Sequence, residues 1–174
     1  VVIHDECAAG QTDPEIIASV LAPHRNGIPA VNLHCAMHSY RIGDFRKPVK
    51  PGAANAKWYE YIGLQSTGHG PKKPIAIAFE HNVPFITKGI KDWTTGNEEL
   101  YNNVQVLPTS KVVARGTQGK SKAVVAWTND YKGTRVFSTS IGHNNFTVAD
   151  SRYLDFVARG LLWAAKREDA RIKK

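Results

Sequence analysis

The sequence predicts an α/β fold of the flavodoxin or Rossmann type, in which helices cover both faces of a mainly parallel sheet. Three observations support this prediction. Near its start the chain runs from a strand through a helix of about ten residues to a second strand, and this order implies parallel pairing with a right-handed crossover. Several short apolar strand patterns follow, and an amphipathic helix comes last.

Start and stop signals define the first βαβ unit. Residues 1–4 form a short apolar run, and Asp13-Pro14 supplies an N-cap and a first-turn proline for a helix over residues 15–24. Asn26-Gly27 ends this helix, and residues 30–35 have the apolar character of a buried strand. We expect His24 to be a surface or turn residue.

The remaining elements are predicted from apolar patterns and turn residues. Residues 39–70 are rich in Pro, Gly and aromatic residues, and so long a loop in a compact domain is usually functional. Strands are predicted at residues 74–79, 112–115, 123–127 and 135–140, the last two as a hairpin around residues 130–133. Residues 150–166 carry apolar side chains at helical spacing, which indicates a helix that lies on the sheet.

Composition limits the function classes. The 174 residues suit a single domain over residues 1–174. The net charge is +8, but Lys and Arg are spread along the chain, with small clusters only at Lys72-Lys73 and residues 166–174, so no nucleic-acid partner is expected. No apolar run approaches the roughly 20 residues of a membrane span. The chain opens on Val1-Val2-Ile3, so we expect an N-terminal part to be missing; an exported or periplasmic location and a cytoplasmic one both stay open.

The two cysteines, Cys7 and Cys35, do not have the spacing of a zinc or haem site. Cys7 is predicted in a polar loop, and Cys35 at the end of a neighbouring strand with a different direction. We therefore expect no disulfide between them.

Polar residues follow several of the predicted strands. Ligands of parallel sheets bind outside the carboxyl ends of the strands, and four segments lie there: residues 33–41, 67–70, 98–101 and 140–145, with Asp5-Glu6 in a fifth. Imidazoles move protons near neutral pH, although a strand-end histidine is as often a hydrogen-bonded structural residue. We expect four histidines to converge on one pocket: His34, His38, His69 and His143.

An ordered set of motifs runs along the chain. Its earlier members are Leu33-His34-Cys35-Ala36, Gly68-His69, residues 81–90 and Glu99-Leu100-Tyr101. Its later members are Trp127-Thr128, a turn at residues 131–133, Arg135-Val136-Phe137, Gly142-His143 and a helix over residues 159–165. In this order the motifs resemble those of the trehalose-utilisation (ThuA-like) family over nearly the whole chain. The resemblance implies a class I glutamine amidotransferase-like fold and a role in carbohydrate metabolism.

The chain also departs from this family and from amidotransferase chemistry. Asn129 stands where many relatives have a histidine, and the family's N-terminal strand and helix, with a loop that borders the site, are absent from the 174 residues. A cysteine nucleophile on a strand-to-helix elbow needs small residues two positions to each side, whereas Cys35 has Leu33 and Met37. No His-x-Glu follows later to activate a thiol, so glutamine hydrolysis is not expected and Cys35 is predicted to be dispensable.

The first functional hypothesis is an enzyme that acts on a disaccharide, glycoside or keto-sugar by acid/base chemistry. The candidate catalytic residues are His34, His38, His69, His143 and Glu99, with Glu99 fixing the tautomer of one imidazole. His38 is predicted to be essential, because it lies close to a cation that can stabilise an oxyanion. The candidate substrate-binding residues are Arg41, Trp58, Tyr59, Tyr101 and Asn129.

Two alternatives stay open. The first is a metal-dependent hydrolase, in which His34, His38 and His69 bind a divalent metal; the sequence does not require this cofactor. The second is a non-catalytic sugar-binding or interaction module. The expected partner is a small-molecule carbohydrate, and a second copy of the chain or further domains of a longer polypeptide are additional options.

Overall fold

The computed structural model describes residues 1–170. A seven-stranded sheet forms its centre. Its members in chain order are β1 (Val2–His4), β2 (Ala30–Leu33), β4 (His69–Phe79), β5 (Trp93–Tyr101), β7 (Ser110–Gln118), β8 (Ser121–Tyr131) and β9 (Thr134–Thr139), and their order across the sheet is β1-β2-β9-β8-β7-β4-β5. Two short strands, β3 (Leu64–Gln65) and β6 (Gln105–Val106), pair separately.

The sheet is mixed, so the prediction of a mainly parallel sheet was wrong. β1 pairs with β2 and β2 with β9 in parallel, whereas the other four neighbouring pairs are antiparallel. Short turns join β7 to β8 and β8 to β9, and strands joined by tight turns must pair antiparallel. The predicted βαβ unit at the start of the chain and the hairpin around residues 130–133 are both present.

Within residues 1–170, five α-helices accompany the sheet: α1 (Pro14–Arg25), α2 (Lys57–Ile62), α3 (Pro84–Thr87), α4 (Asn145–Val148) and α5 (Ser151–Ala164). Two 3-10 helices cover His34–His38 and Ala54–Ala56. The Asp13 side chain accepts hydrogen bonds from the amides of Glu15 and Ile16, as its N-cap pattern predicted. α2 lies inside the segment predicted to be irregular, because six residues are too few to establish a helical period.

Helices pack on both faces of the sheet. Ala30 and Val136 pack into the cluster that contains Ile17 of α1, whereas their neighbours Val31 and Phe137 pack into the cluster of α5. This alternation follows from the strand geometry, in which successive side chains point to opposite faces. His24, expected at the surface, is fully buried, and its Nδ1–H donates to the Ile28 carbonyl.

Within residues 1–170, no helix has both the length and the apolar character needed to cross a membrane. α5 ends at Ala164, two residues before the predicted end. The final basic segment, predicted as a charge cluster over residues 166–174, lies partly outside the described residues, which stop at residue 170.

Cys7 and Cys35 form a disulfide, so the expectation of two separate thiols was wrong. His4 of β1 pairs with Asn32 of β2, and each cysteine lies three residues further along its own chain segment. Parallel pairing therefore brings the two segments out of the sheet side by side, with a Cα–Cα distance of 4.9 Å. The Ser39 hydroxyl, which donates to the Glu6 carbonyl, further ties the two segments together.

The β4–β5 pair extends beyond the rest of the sheet. Only Ala76–Phe79 of β4 pair with β7, whereas residues nearer its start, from His69 on, pair with the end of β5. The β4–β5 register shifts twice, between His69 and Lys72 and between Pro74 and Ala76, and such irregularities bend a strand. The end of β5 thus lies beside the carboxyl ends of β2 and β9.

Candidate functional site

A buried carboxylate, Glu99 of β5, lies at the centre of a cluster of basic side chains. His34 Nε2 is 3.6 Å from Glu99 Oε2, while His69 Nε2 and His143 Nδ1 are 3.5 and 3.4 Å from Oε1. Lys72 Nζ lies 3.5 Å from the same oxygen. Three of the four histidines expected to converge therefore face a single carboxylate, and we call Glu99, His34, His69, His143 and Lys72 the Glu99 cluster.

His34 forms the floor of the cluster with a fixed tautomer. It directly follows β2, and its Nδ1 lies 2.9 Å from the Ser140 carbonyl oxygen, which can only accept a hydrogen bond. Nδ1 therefore carries a proton, and Nε2 points towards Glu99 and the Tyr101 hydroxyl, 3.3 Å away. The His34 backbone has φ +35°, a conformation that costs free energy and that recurs at functional sites.

His69 and Lys72 form the rim of the cluster. The His69 side chain is 39% exposed and that of Lys72 is 56% exposed, against 9% for both His34 and Glu99. His69 Nδ1–H donates to the Gly70 carbonyl at 2.8 Å, which again leaves the Nε2 lone pair directed at Glu99. A solute entering from solvent would therefore meet His69 and Lys72 first.

The neighbouring carboxylate, Glu98, holds the loop that carries His143. Its side chain is fully buried and accepts hydrogen bonds from the backbone amides of Gly142, His143 and Asn144 at 3.3, 3.0 and 2.9 Å. Successive strand residues point to opposite faces, so Glu98 and Glu99 serve different partners. This loop directly follows β9, and the contacts with Glu98 fix its position.

His38 lies beside the cluster and does not touch Glu99 in the described structure. Its ring stacks on Tyr101 with 4.2 Å between ring centroids, and its Nε2 lies 2.9 Å from the Ser66 hydroxyl. Burial, reinforced by the nearby charge of Arg41, lowers the pKa of His38 to about 3. The ring is therefore neutral at physiological pH, which does not favour a role as proton donor.

Tyr101 and Arg41, two predicted substrate contacts, border the cluster. Burial and the charge of Glu99 raise the pKa of Tyr101 well above its usual value, so its hydroxyl stays protonated. Arg41 donates to the Thr67 carbonyl at 3.1 Å, and its guanidinium lies 4.2 Å from the ring centre of Phe45. Burial lowers the pKa of Arg41.

Three other predicted substrate contacts lie elsewhere. Trp58 and Tyr59 are in the hydrophobic core, and the Trp58 indole donates to the Ala36 carbonyl, so neither ring offers a face to a sugar. Asn129 is buried and donates to the carbonyls of Glu60 and Tyr61. These residues stabilise α2 against the sheet, which is a structural role that aromatic and amide side chains often have.

An apolar cavity lies away from the Glu99 cluster. Its volume is about 290 Å³, and its lining includes Val49, Leu107 and Tyr131. Tyr131 pairs with Thr134 at the start of β9, whereas His143 follows the end of that strand. The cavity therefore lies at the opposite end of the strands from the Glu99 cluster. We take the cluster, without this cavity, as the candidate site.

Comparison with known proteins identifies the family. The model of a family described as trehalose utilisation, ThuA, matches residues 13–164. The chain belongs to the ThuA family. A search of curated proteins found no match. The family match spans β2, β4, β5 and β9, so the elements that carry the Glu99 cluster are part of the ThuA domain.

Solved structures show the same ThuA-like fold. A ThuA-like protein of Parabacteroides merdae has a TM-score of 0.68 and 18% identity, with 89% of this chain and 67% of that chain covered. A ThuA-like protein of Bacteroides uniformis has a TM-score of 0.69 and 12% identity, with 94% and 68% covered. This chain thus spans about two thirds of the length of each. A β-galactosidase of Rahnella sp. R3 has a TM-score of 0.56 and 11% identity, with 87% of this chain and 21% of that chain covered.

Sequence reasoning missed Lys72 as a member of the cluster and did not assign a role to Glu98. Lys72 pairs with Glu99 across β4 and β5, so their side chains share a face of the sheet. An opposite-charge pair on neighbouring antiparallel strands was the available signal. This pair could be recognised only if the register of the two strands were known, and the two shifts in that register cannot be read from the sequence.

Proposed function

We propose that this ThuA-family chain is an enzyme of carbohydrate metabolism that acts on a disaccharide, glycoside or keto-sugar derivative by acid/base chemistry at the Glu99 cluster. The observation that carries the proposal is the set of three imidazole nitrogens within 3.6 Å of one buried carboxylate. The trehalose-utilisation description of the family supports carbohydrate as the substrate class. The position at the carboxyl ends of β2 and β9 supports a binding site.

His69 is our candidate for the group that moves the proton. It is the most exposed imidazole of the cluster, and its Nδ1–H is engaged by the Gly70 carbonyl, so the free lone pair is on Nε2. A keto-sugar has an acidic hydrogen on the carbon next to its carbonyl. His69 Nε2 would take this proton while the C–H bonding pair moves to form an enolate, with the negative charge on the carbonyl oxygen.

Lys72 is our candidate for the group that stabilises this oxygen. Its ammonium lies on the same rim as His69, and both contact Glu99 Oε1 at 3.5 Å. A positioned cation lowers the free energy of the enolate-like transition state more than that of the neutral ketone. Return of the proton from His69 to the former carbonyl carbon, while the hydroxyl proton of the neighbouring carbon passes to the enolate oxygen, would complete an isomerisation. In an elimination the enolate would re-form the carbonyl, a C=C bond would form as the bond to a glycosidic oxygen on the β carbon breaks, and this departing oxygen would take the proton from His69.

The test is turnover of a panel of disaccharides, glycosides and their keto derivatives, followed by NMR. We expect at least one keto-sugar or glycoside to be converted, with kcat/KM reduced on the order of 100-fold or more in His69→Ala. His81→Ala is the matched control, since His81 is an exposed histidine outside the cluster. Saturable sugar binding without any turnover would instead identify a sugar-binding module. Full activity of His69→Ala would contradict the role given to this residue.

A further inference from the structure

Three atoms that commonly bind metals come together on the floor of the Glu99 cluster. They are His34 Nε2, His143 Nδ1 and a carboxylate oxygen of Glu99, and all lie within 4.8 Å of one another. We propose that these three residues bind one divalent transition-metal ion of the zinc class and leave one coordination position open towards the rim. Two imidazoles and one carboxylate form a donor set that such ions take in catalytic sites.

The distances to Glu99 fit a shared ion better than they fit hydrogen bonds. Bonds of 2.0–2.1 Å at tetrahedral angles place two ligand atoms of zinc about 3.3 Å apart. The observed separations are 3.6 Å from His34 Nε2 to Glu99 Oε2 and 3.4 Å from His143 Nδ1 to Glu99 Oε1, so the carboxylate presents one oxygen to each imidazole. A charge-assisted hydrogen bond between these groups would measure about 2.7–2.9 Å. Small side-chain shifts would therefore bring the three atoms onto one ion.

The tautomer of His34 is the one that a metal site requires. Because its Nδ1–H donates to the Ser140 carbonyl, the Nε2 lone pair is directed at Glu99. Metal-binding histidines usually donate their other ring N–H to a carbonyl or carboxylate in this way, which orients the ring and fixes the tautomer. Two acceptors, an imidazole lone pair and a carboxylate oxygen, then lie 3.6 Å apart. The Tyr101 hydroxyl is 3.3 Å from the same nitrogen, which is long for an O–H donor, and a cation between the two acceptors would bind both more strongly.

Glu99 itself lacks the partners that a buried carboxylate needs. Its side chain is 9% exposed, and within residues 1–170 its carboxylate accepts no hydrogen bond that meets ordinary geometric limits. Glu98, by contrast, accepts three from backbone amides. An unsatisfied buried charge costs several kcal/mol. Lys72 is 56% exposed, and an ion pair with so exposed a partner compensates little of this cost.

The loop that carries His143 is held in place independently of any ion. The three amide hydrogen bonds to Glu98 fix residues 142–144, so His143 needs little reorganisation to bind a metal. The ligands thus differ from the set expected from the sequence, His34, His38 and His69. His38 bonds to Ser66 instead, and His69 lies on the rim, beside the open coordination position.

The role of the ion in sugar chemistry rests on the proposed function, whereas the binding of the ion does not. A divalent cation at this position would polarise a sugar carbonyl beside His69 and Lys72, which is the chemistry that Lewis acids supply. Metal binding without sugar turnover would leave the site intact and refute the proposed function. Sugar turnover by chelator-treated protein that binds no metal would refute the metal site and support the proposed function.

The experiment uses the whole chain after treatment with a chelator. Zinc is titrated by calorimetry, and cobalt(II) is titrated while its visible absorption is recorded. We expect one ion per chain and the intense visible bands of four- or five-coordinate cobalt. His34→Ala, His143→Ala and Glu99→Gln should each weaken zinc binding by about 100-fold or more, because each removes a ligand.

Two controls make the result decisive. His81→Ala removes an exposed histidine far from Glu99 and should bind zinc like the wild type. If His34→Ala does not fold, His143→Ala carries the test, since His143 lies on a partly exposed loop. The proposal is overturned if the wild type takes up no stoichiometric ion, or if His143→Ala binds zinc as tightly as His81→Ala does.

Discussion

Glu98 holds His143 in place: its carboxylate lies 3.0 Å from the backbone amide of His143 and also accepts bonds from the two flanking amides. Charge-assisted hydrogen bonds of this kind are each worth about 1.5–3 kcal/mol. The same strand supplies Glu99 to the cluster on its other face. One dipeptide thus builds the site and positions one of its histidines.

Glu98→Gln should destabilise the protein and misplace His143. The amide offers one acceptor oxygen and no charge, so we expect a loss of about 2 kcal/mol in the free energy of unfolding. For a domain of this size that corresponds to a fall in Tm of about 4–8 °C, measured by circular dichroism. Glu80→Gln, which weakens only exposed contacts with Arg115 and Asn82, should shift Tm much less. Equal shifts in the two variants would show that the buried contacts contribute no more than a surface pair.

Gly142 allows the loop to pass close to His34. Its φ is +135°, and an added Cβ would lie 2.8 Å from the Tyr153 hydroxyl oxygen and 3.5 Å from the His34 Cβ. Gly142→Ala should therefore combine backbone strain with overpacking, which costs about 1–3 kcal/mol beyond the strain alone. Gly89→Ala separates the two effects, because Gly89 has φ +75° and no atom within 4 Å of an added Cβ. Denaturant unfolding of both variants measures the difference, and equal losses would rule out the close approach.

The disulfide offers a test of thiol catalysis as well as of stability. It closes a loop with a sequence separation of 28 residues, so its removal should cost about 3–4 kcal/mol. Cys7→Ser and Cys35→Ser each break the same bond, and both should lower Tm to the same extent and affect activity equally. Loss of activity in Cys35→Ser alone would mean that the Cys35 thiol reacts with substrate, contrary to our account.

Stability should fall on acidification below about pH 6.5 because of two buried imidazoles, His24 and His38. Burial lowers the pKa of His24, whose surroundings include His4, Glu6 and the stacked ring of Tyr61. In this window the unfolded chain takes up a proton that the folded chain resists, so the free energy of unfolding decreases as the pH falls.

Glu6 acts in a lower pH range. Burial raises the pKa of its carboxyl, but the hydrogen bonds from His4, the backbone and Tyr40 and the charge of His4 together outweigh this and lower the pKa overall. Its contribution is present above the unfolded value of about 4.5 and is lost at lower pH. The change in the free energy of unfolding between pH 7 and pH 5, measured by denaturant unfolding, therefore lies above the range of Glu6 and contains contributions from both His24 and His38. Comparison of the wild type with His24→Gln isolates the part due to His24, and the variant should have the flatter dependence. An unchanged slope in this variant would show that another group is responsible.

The local elements and the histidine segments could be predicted from the sequence. Asp13-Pro14 marked the start of α1, and the apolar pattern marked α5, because capping and helical periodicity are local signals. His34 and His143 were predicted to lie near each other because each is at or after the end of a strand, and β2 and β9 are indeed parallel neighbours.

Relationships that depend on strand register could not be predicted in this way. Apolar runs do not reveal whether neighbouring strands are parallel, so the antiparallel part of the sheet was missed except for the β8–β9 hairpin. The pairing of His4 with Asn32, which brings Cys7 beside Cys35, is likewise a nonlocal fact. Trp58 was predicted to contact a sugar, whereas it lies in the core. A sequence does not distinguish an aromatic residue that fills a core from one that stacks on a sugar.

The central claim is that Glu99 is the centre of a reaction site, and the most direct test is kcat/KM of Glu99→Gln on a sugar that the wild type converts. The variant keeps the shape of the side chain and removes its charge. We predict a loss on the order of 100-fold or more without a comparable loss of stability, while Glu80→Gln retains wild-type activity. Wild-type kcat/KM in a folded Glu99→Gln variant would contradict the account.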